Sequence, residues 1–256
     1  MIFTSLYRVT NCSPIGKHTF TWLLARVVIH RYGLPMAWLR TAFQDELDGV
    51  TQTLVDLSAL VTDAIEKATH ALLTADLAEA EAIIKSDDQI DQIQHDLDAR
   101  IIDIIARQQP VASDLRALVT ALRMSADLER MGDFGHHIAK IARMRYPSPA
   151  VPVELTATIQ SMGDVAGKII DKATHVIKTQ DLQAAIELET DDDEMDRLHR
   201  QLFTILLDDA WPHGIETAID MTLLGRYYER CSDHAVSIAR RVYYLVTGEY
   251  ANHTNN

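Results

Sequence analysis

Ile65-Glu-Lys-Ala-Thr-His70 returns 105 residues later as Ile170-Asp-Lys-Ala-Thr-His175. Extended to Ala64–Ala80 against Ile169–Ala185, nine of 17 positions are identical. At the same offset Asp87, Asp88 and Asp91 fall on Asp192, Asp193 and Asp196. Further on the offset becomes 100, and Glu129-Arg-Met-Gly-Asp133 aligns with Glu229-Arg-Cys-Ser-Asp233. One supersecondary unit is used twice, with a connection five residues shorter in the second copy.

The unit is helical. No glycine occurs between Gly49 and Gly132, and Pro110 is the only proline there. So long a stretch without breakers, rich in Ala, Leu, Asp and Gln, reads as helix. Ile90, Ile93, Leu97, Ile101, Ile104 and Ile105 recur at spacings of three and four, as do Leu115, Leu118, Leu122 and Ala126. Asp76 and its copy Asp181 read as N-caps after short turns, Pro110 ends the second helix, and Ser113 or Asp114 caps the third. Helices are predicted over about 45–73, 76–107, 113–145, 153–178, 181–209 and 215–247. Short loops make neighbours antiparallel. The expected fold class is all-α, with two tandem, repeat-related three-helix bundles. Residues 36–146 form the first and 153–250 the second, joined by a proline-rich linker at 147–152 and followed by a tail at 251–256.

Residues 1–35 stand apart. Residues 1–44 hold five basic residues and no acidic one, which leaves 19 basic against 37 acidic residues in the rest. The apolar run Phe20–Ile29 is broken by Arg26 and is too short to span a membrane. A targeting peptide, a membrane-surface helix and a true start at Met36 all account for the segment; the last is preferred.

The net charge of −13 makes the chain a poor nucleic-acid binder. Two cysteines, Cys12 and Cys231, provide no disulfide framework. Phosphate-cradling glycine loops, nucleophile elbows and CxxC pairs are absent.

Four carboxylate pairs of i,i+4 spacing stand at repeat-related positions: Asp87/Asp91, Glu129/Asp133, Asp192/Asp196 and Glu229/Asp233. Residues four apart share a helix face, with Cβ atoms ~5–6 Å apart. The apolar line Leu115, Leu118, Leu122, Ala126 leads toward Glu129 and Asp133, so these are expected to face the bundle interior. Unpaired carboxylates there are costly, and a hard cation with oxygen ligands removes the cost. The small residues Ala126, Gly132, Gly135, Gly225 and Ser232 are expected to leave room for a cluster. The competing reading is a solvated acidic face, with Arg130 and Arg230 as ordinary ion-pair partners; Asp88 and Asp193 are the adjacent alternative ligands. His136 and His199, each three residues after a carboxylate, read as surface or capping histidines. Oxygen ligands fit iron, manganese, magnesium or calcium.

At Ile104-Ile-Ala-Arg-Gln-Gln-Pro-Val-Ala-Ser-Asp-Leu-Arg116 and Asp127-Leu-Glu-Arg-Met-Gly-Asp133 the chain resembles the PhoU family. Tyr228-Glu-Arg-Cys-Ser-Asp-His234 and Tyr244-Leu-Val-Thr-Gly-Glu249 repeat the resemblance, and Leu39–Leu47 is similar to a family N-terminus. The resemblance implies two three-helix bundles with multinuclear metal clusters on the E/D-x-x-x-D motifs. Here those are Asp87, Asp91, Glu129, Asp133, Asp192, Asp196, Glu229 and Asp233. The expected cofactors are divalent or trivalent metal clusters, iron ahead of manganese, magnesium or zinc. It further implies a cytoplasmic, non-enzymatic negative regulator that links the ATPase subunit of a phosphate ABC transporter to a phosphate-sensing histidine kinase; family members differ in oligomeric state, and a homodimer is expected here. Two departures stand out. Cys231-Ser232 replaces the usual Met-Gly, and Trp211-Pro-His-Gly-Ile-Glu216 replaces the Pro-x-x-Ser-Asp-Leu-Arg entry. A carboxylate-bridged redox enzyme is the rival from another class, but the chain lacks the Glu-x-x-His pairs such bundles use. A metal-free helical scaffold is the third reading.

Overall fold

Six helices account for the described chain, and their order follows from the breakers. The computed structural model describes residues 36–249, with side chains from Arg40 onward. The N-terminal extension 1–35 and the tail from Tyr250 lie outside the described residues. Packing divides the chain after Glu46. Of the first unit only the start of a helix is described, and the bundles are built from Leu47 onward.

The helices are α1 (Met36–Thr74), α2 (Leu77–Gln108), α3 (Ser113–Arg145), α4 (Thr156–Thr179), α5 (Leu182–Leu206) and α6 (Gly214–Thr247). A 3₁₀ turn, Val153–Leu155, precedes α4. No strand occurs among the described residues. Both expected caps are present. The Asp76 carboxylate accepts from the Glu79 amide, and that of Asp181 accepts from Gln183 and Ala184. Gln109 ends α2 in the left-handed region at φ 50°, just before Pro110. Gly248 ends α6 at φ 78°, the position glycine occupies at least strain. The bounds differ from expectation by three residues at the start of α4 and at the end of α5, and by more at α1. α1 is already helical at Met36, the first described residue, and not only from near Asp45, because nothing from Ala37 to Asp48 breaks a helix. Neither Ser113 nor Asp114 caps α3 as expected: its N-cap is Ala112, without a side-chain bond.

Burial separates inner from outer helices. On α1, Leu54, Leu57, Val61, Ile65, Ala68 and Leu72 are each at most 1 % exposed. α3, α4 and α6 bury comparably broad stripes. α2 buries a narrow seam, chiefly Ile83, Ile90, Leu97, Ile101 and Ile104, and α5 another through Leu188, Met195, Leu198 and Leu202. A seam that narrow fits a helix laid against the outside of a core.

Cross-helix pairs fix the directions. Thr62 bonds Asp171, while an added Cβ on Gly163 would meet Thr69, so α1 and α4 run antiparallel. The Asp127 carboxylate accepts from His234 and Arg241, and Arg145 donates to Asp220 and Glu216. α3 and α6 are therefore antiparallel as well, and they join one bundle to the other. The Tyr228 hydroxyl reaches Thr69 at 2.8 Å in the buried space between α6 and α1.

Candidate metal centres

The acidic pairs of α2 and α3 come together through a close approach of the two helices. Gly132 allows it: a Cβ there would sit 3.0 Å from the Ile90 side chain. Antiparallel packing at that level sets Asp87 and Asp91 opposite Glu129 and Asp133. Asp87 and Glu129 are largely buried, at 14 % and 24 % exposed side chain. The Asp133 carboxylate takes a 2.8 Å bond from Arg130. Burial first, then the charges of Asp87 and Asp133, push the Asp91 carboxyl above the usual carboxylate range. Glu129 rises through burial and Asp133, against the pull of Arg130, with Asp91 and Asp87 adding to the rise. Four carboxylates from two helices thus feel one another directly.

The second bundle repeats the arrangement with different neighbours. Asp192 faces Asp233 and Glu229 of α6, with Asp196 and Asp193 on its own helix. Burial, then those four charges in the order Asp233, Asp196, Glu229, Asp193, pushes its carboxyl up to about 6. Glu229 rises through burial and Asp233, opposed by Arg226, His199 and Arg230. Arg226 donates to both Glu229 oxygens, Arg230 to Asp233 at 3.2 Å and Arg200 to Asp196 at 3.5 Å. These arginines are well exposed, and exposed ion pairs are worth ~1 kcal/mol or less. They soften the repulsion without removing it. Asp88 and Asp193 are exposed.

Three expectations are corrected. Glu129 and Asp133 do not continue the buried stripe of α3. Leu115 and Ala126 are exposed, and the buried line runs through Leu118, Ala121, Leu128, Met131, Gly135 and Ile138. A 3.6-residue helix carries two adjacent apolar lines, and the sequence pattern selected the flanking one. The carboxylates therefore sit at the edge of the core, half-buried. Nor do the small residues hold space open. The place beside Gly132 is taken by Ile90, that beside Gly225 by Leu202 and His199, and Gly135 packs on Ala64. They bring helices close. Finally, His136 and His199 are not solvated caps. His136 Nδ1 contacts Asp87. The Nε2 atoms of both histidines, together with Asp91 Oδ1, are buried without a hydrogen-bond partner. Cys231 is core as expected, its thiol pushed up to about 12 by burial and therefore inert.

As they stand, no three acidic, histidine or cysteine side chains among the described residues are gathered tightly enough to hold one ion. The donor chemistry nonetheless fits a cation. Mutually repelling carboxylates and orphaned ligand atoms are what a positive ion between two helices would satisfy.

Asp192 supplies a prediction for the metal-free chain. Its proton is held more tightly in the folded state than by an ordinary aspartate, at ~3.9. Stability is then fully present below about pH 4 and is lost as pH rises through about 6. Asp192→Asn should raise metal-free stability at pH 7 by about 2 kcal/mol, the ~3 kcal/mol of such a shift reduced by partial solvent screening, and leave stability at pH 4 nearly unchanged. Urea denaturation at the two pH values measures this.

Comparison with known proteins agrees with this architecture. A family model described as the PhoU domain matches twice, at residues 54–142 and 159–242. The phosphate-specific transport system accessory protein PhoU homolog 2 of Mycobacterium tuberculosis is 42 % identical over 212 residues, covering 83 % of this chain and all of that one. The crystal structure of PhoU from Pseudomonas aeruginosa aligns with TM-score 0.72 and 30 % identity over 81 % of this chain and 100 % of its own. That of the phosphate transport system regulatory protein PhoU from Streptococcus pneumoniae aligns with TM-score 0.73 and 26 % identity over 82 % and 99 %. Two matched repeats over one duplicated helical frame leave a single assignment: the chain belongs to the PhoU family.

Proposed function

We propose that the chain is an accessory protein of phosphate transport that works as a metal-binding regulatory adaptor. In this reading it represses phosphate uptake and starvation signalling by linking the ATPase subunit of a phosphate ABC transporter to a phosphate-sensing histidine kinase at the cytoplasmic membrane face, acting as a homodimer. The observation that carries the metal part is the repeat-related convergence of carboxylates on Asp91 and Glu129 in one bundle and on Asp192 and Glu229 in the other. Asp87, Asp91, Glu129 and Asp133 would hold metal in the first, and Asp192, Asp196, Glu229 and Asp233 in the second. Iron ranks first, with manganese, magnesium or zinc behind it. Bound metal would supply fixed positive charge that locks α2 to α3 and α5 to α6. No catalytic step is assigned.

The adaptor part draws on the names of the relatives and on the surface. Large apolar side chains are exposed at repeat-related positions, Leu115 and Val119 on α3 and Ile215 and Ile219 on α6. Exposed apolar stripes of this kind suit partner docking. No described helix is long and apolar enough to cross a membrane, so membrane attachment would run through partners.

The reading is tested by deleting the gene and following a starvation-induced promoter in phosphate-rich medium. Deletion should switch the reporter on. The wild-type chain should silence it, and a folded Ile215→Asp/Ile219→Asp variant should not. A reporter that stays silent after deletion contradicts the regulatory role.

A further inference from the structure

At the seam that joins the two bundles, away from the acidic pairs, lies a cationic cavity. It measures about 160 Å³ and is lined by Thr120 and Arg123 of α3 and by Ser237, Arg240, Arg241 and Tyr244 of α6. The helical register explains the grouping. Positions 120 and 123 share a face of α3, positions 237, 240, 241 and 244 share a face of α6, and the helices run antiparallel. Arg116, one turn before Thr120, extends the cluster, with its guanidinium 5.7 Å from the centre of the Tyr244 ring.

Two of the four arginines are already neutralised. Arg240 pairs with Glu189, and Arg241 pairs with the buried Asp127. The other two are not. Arg123 has no ion-pair or hydrogen-bond partner among the described residues. Arg116 Nε is buried without one. Thr120 is only 4 % exposed, and neither its hydroxyl nor that of Ser237 is bonded among the described residues. A protein of net charge −13 therefore keeps uncompensated guanidinium groups and free hydroxyl donors around one small hollow. Duplication does not account for it. At the offset of 100, Arg116, Thr120 and Arg123 correspond to Glu216, Asp220 and Leu223, and the first two of these are closed by Arg145.

We propose that this cavity binds one tetrahedral phosphate-type dianion, as the free inorganic ion. Guanidinium forks and hydroxyls are the donors that recognise phosphate oxygens. At ~30 Å³ per water, the volume holds about five waters, which suits one phosphate with residual hydration. It falls well below the ~300–1,000 Å³ of pockets that enclose drug-sized ligands, so it would enclose a single phosphate group and leave the rest of a nucleotide outside. The site lies on the α3–α6 contact, so an occupant would draw the two bundles together.

Isothermal titration of the full chain with inorganic phosphate, and separately with ATP as a carrier of the same group, tests this. The comparison uses Arg123→Glu, an exposed change that leaves the core intact, Thr120→Val, and a variant with Glu129, Asp133, Glu229 and Asp233 changed to alanine. Wild type should bind about one phosphate saturably. Arg123→Glu should weaken it about tenfold or more, as a charge-assisted donor becomes a repelling carboxylate, and Thr120→Val should weaken it less. The carboxylate variant should bind phosphate as wild type does. Failure of the metal reading is thereby kept separate from failure of this one. No saturable phosphate binding by wild type, equal binding by Arg123→Glu, binding of ATP alone, or loss of binding only in the carboxylate variant would each overturn the proposal.

Discussion

Stripping metal with a chelator is expected to lower the thermal midpoint of the chain by about 10 °C. An ion present at a thousand times its dissociation constant stabilises by ~4 kcal/mol, and ~2–4 °C per kcal/mol applies at this size. The effect has two parts with one origin. Without metal, the carboxylates around Asp91, Glu129 and Asp192 repel while half-buried, and this destabilises the folded state. On the proposed reading, metal would turn the same groups into ligands. The variant with Glu129, Asp133, Glu229 and Asp233 all changed to alanine separates the parts. Its midpoint should not respond to chelator. It should also lie above that of metal-free wild type, because four of the repelling charges are gone. Calorimetry with and without chelator checks both. A chelator shift of equal size in wild type and variant would place the metal elsewhere.

Asp127→Ala is the second large effect, about 3 kcal/mol of lost stability, or about 9 °C in the midpoint. Asp127 is buried on α3 and holds two groups of α6, His234 at 3.0 Å and Arg241 at 2.7 Å. Alanine leaves the Arg241 charge partly buried with nothing to accept from it. Removing one member of a buried pair costs more than removing both, so Asp127→Leu combined with Arg241→Met should recover much of the loss. Urea denaturation of the single and double variants distinguishes this inter-helix lock from simple packing. A double variant as unstable as the sum of its singles would argue against it.

The fold was legible because its signals are local. The caps Asp76 and Asp181, the stop at Pro110 and the repeated Ile65–His70 segment each act within a few residues, and the helices lie where these place them. The carboxylate pairs were legible for the same reason, since i,i+4 spacing needs only a helix. Their depth was not. Leu115, Leu122 and Ala126 form an apolar line as regular as the buried one through Leu118 and Leu128, and only packing against α1 and α2 decides between them. In sequence, His136 and His199 read as solvated because a lone histidine carries no periodic signal. The neighbouring helix buries them, through Asp87 in one case and Gly225 in the other. No local signal marks the arginine cavity. Arg116, Thr120 and Arg123 share a helix face, as do Ser237, Arg240, Arg241 and Tyr244. Yet the two groups are more than a hundred residues apart, and nothing short of the α3–α6 register unites them. A search for paired basic stripes on both third helices would have found it.

The most direct measurement is metal content per chain, by elemental analysis of protein purified without an affinity tag. Wild type is compared with Glu129→Ala/Asp133→Ala, with Glu229→Ala/Asp233→Ala, and with all four changes together, each verified as helical by circular dichroism. Metal in the wild type, with each double variant losing only its own bundle's share and the quadruple variant empty, is the expected result. Near-zero metal in all four proteins, persisting after reconstitution with iron, manganese, magnesium or zinc, would contradict it and make the acidic pairs solvated helix surface.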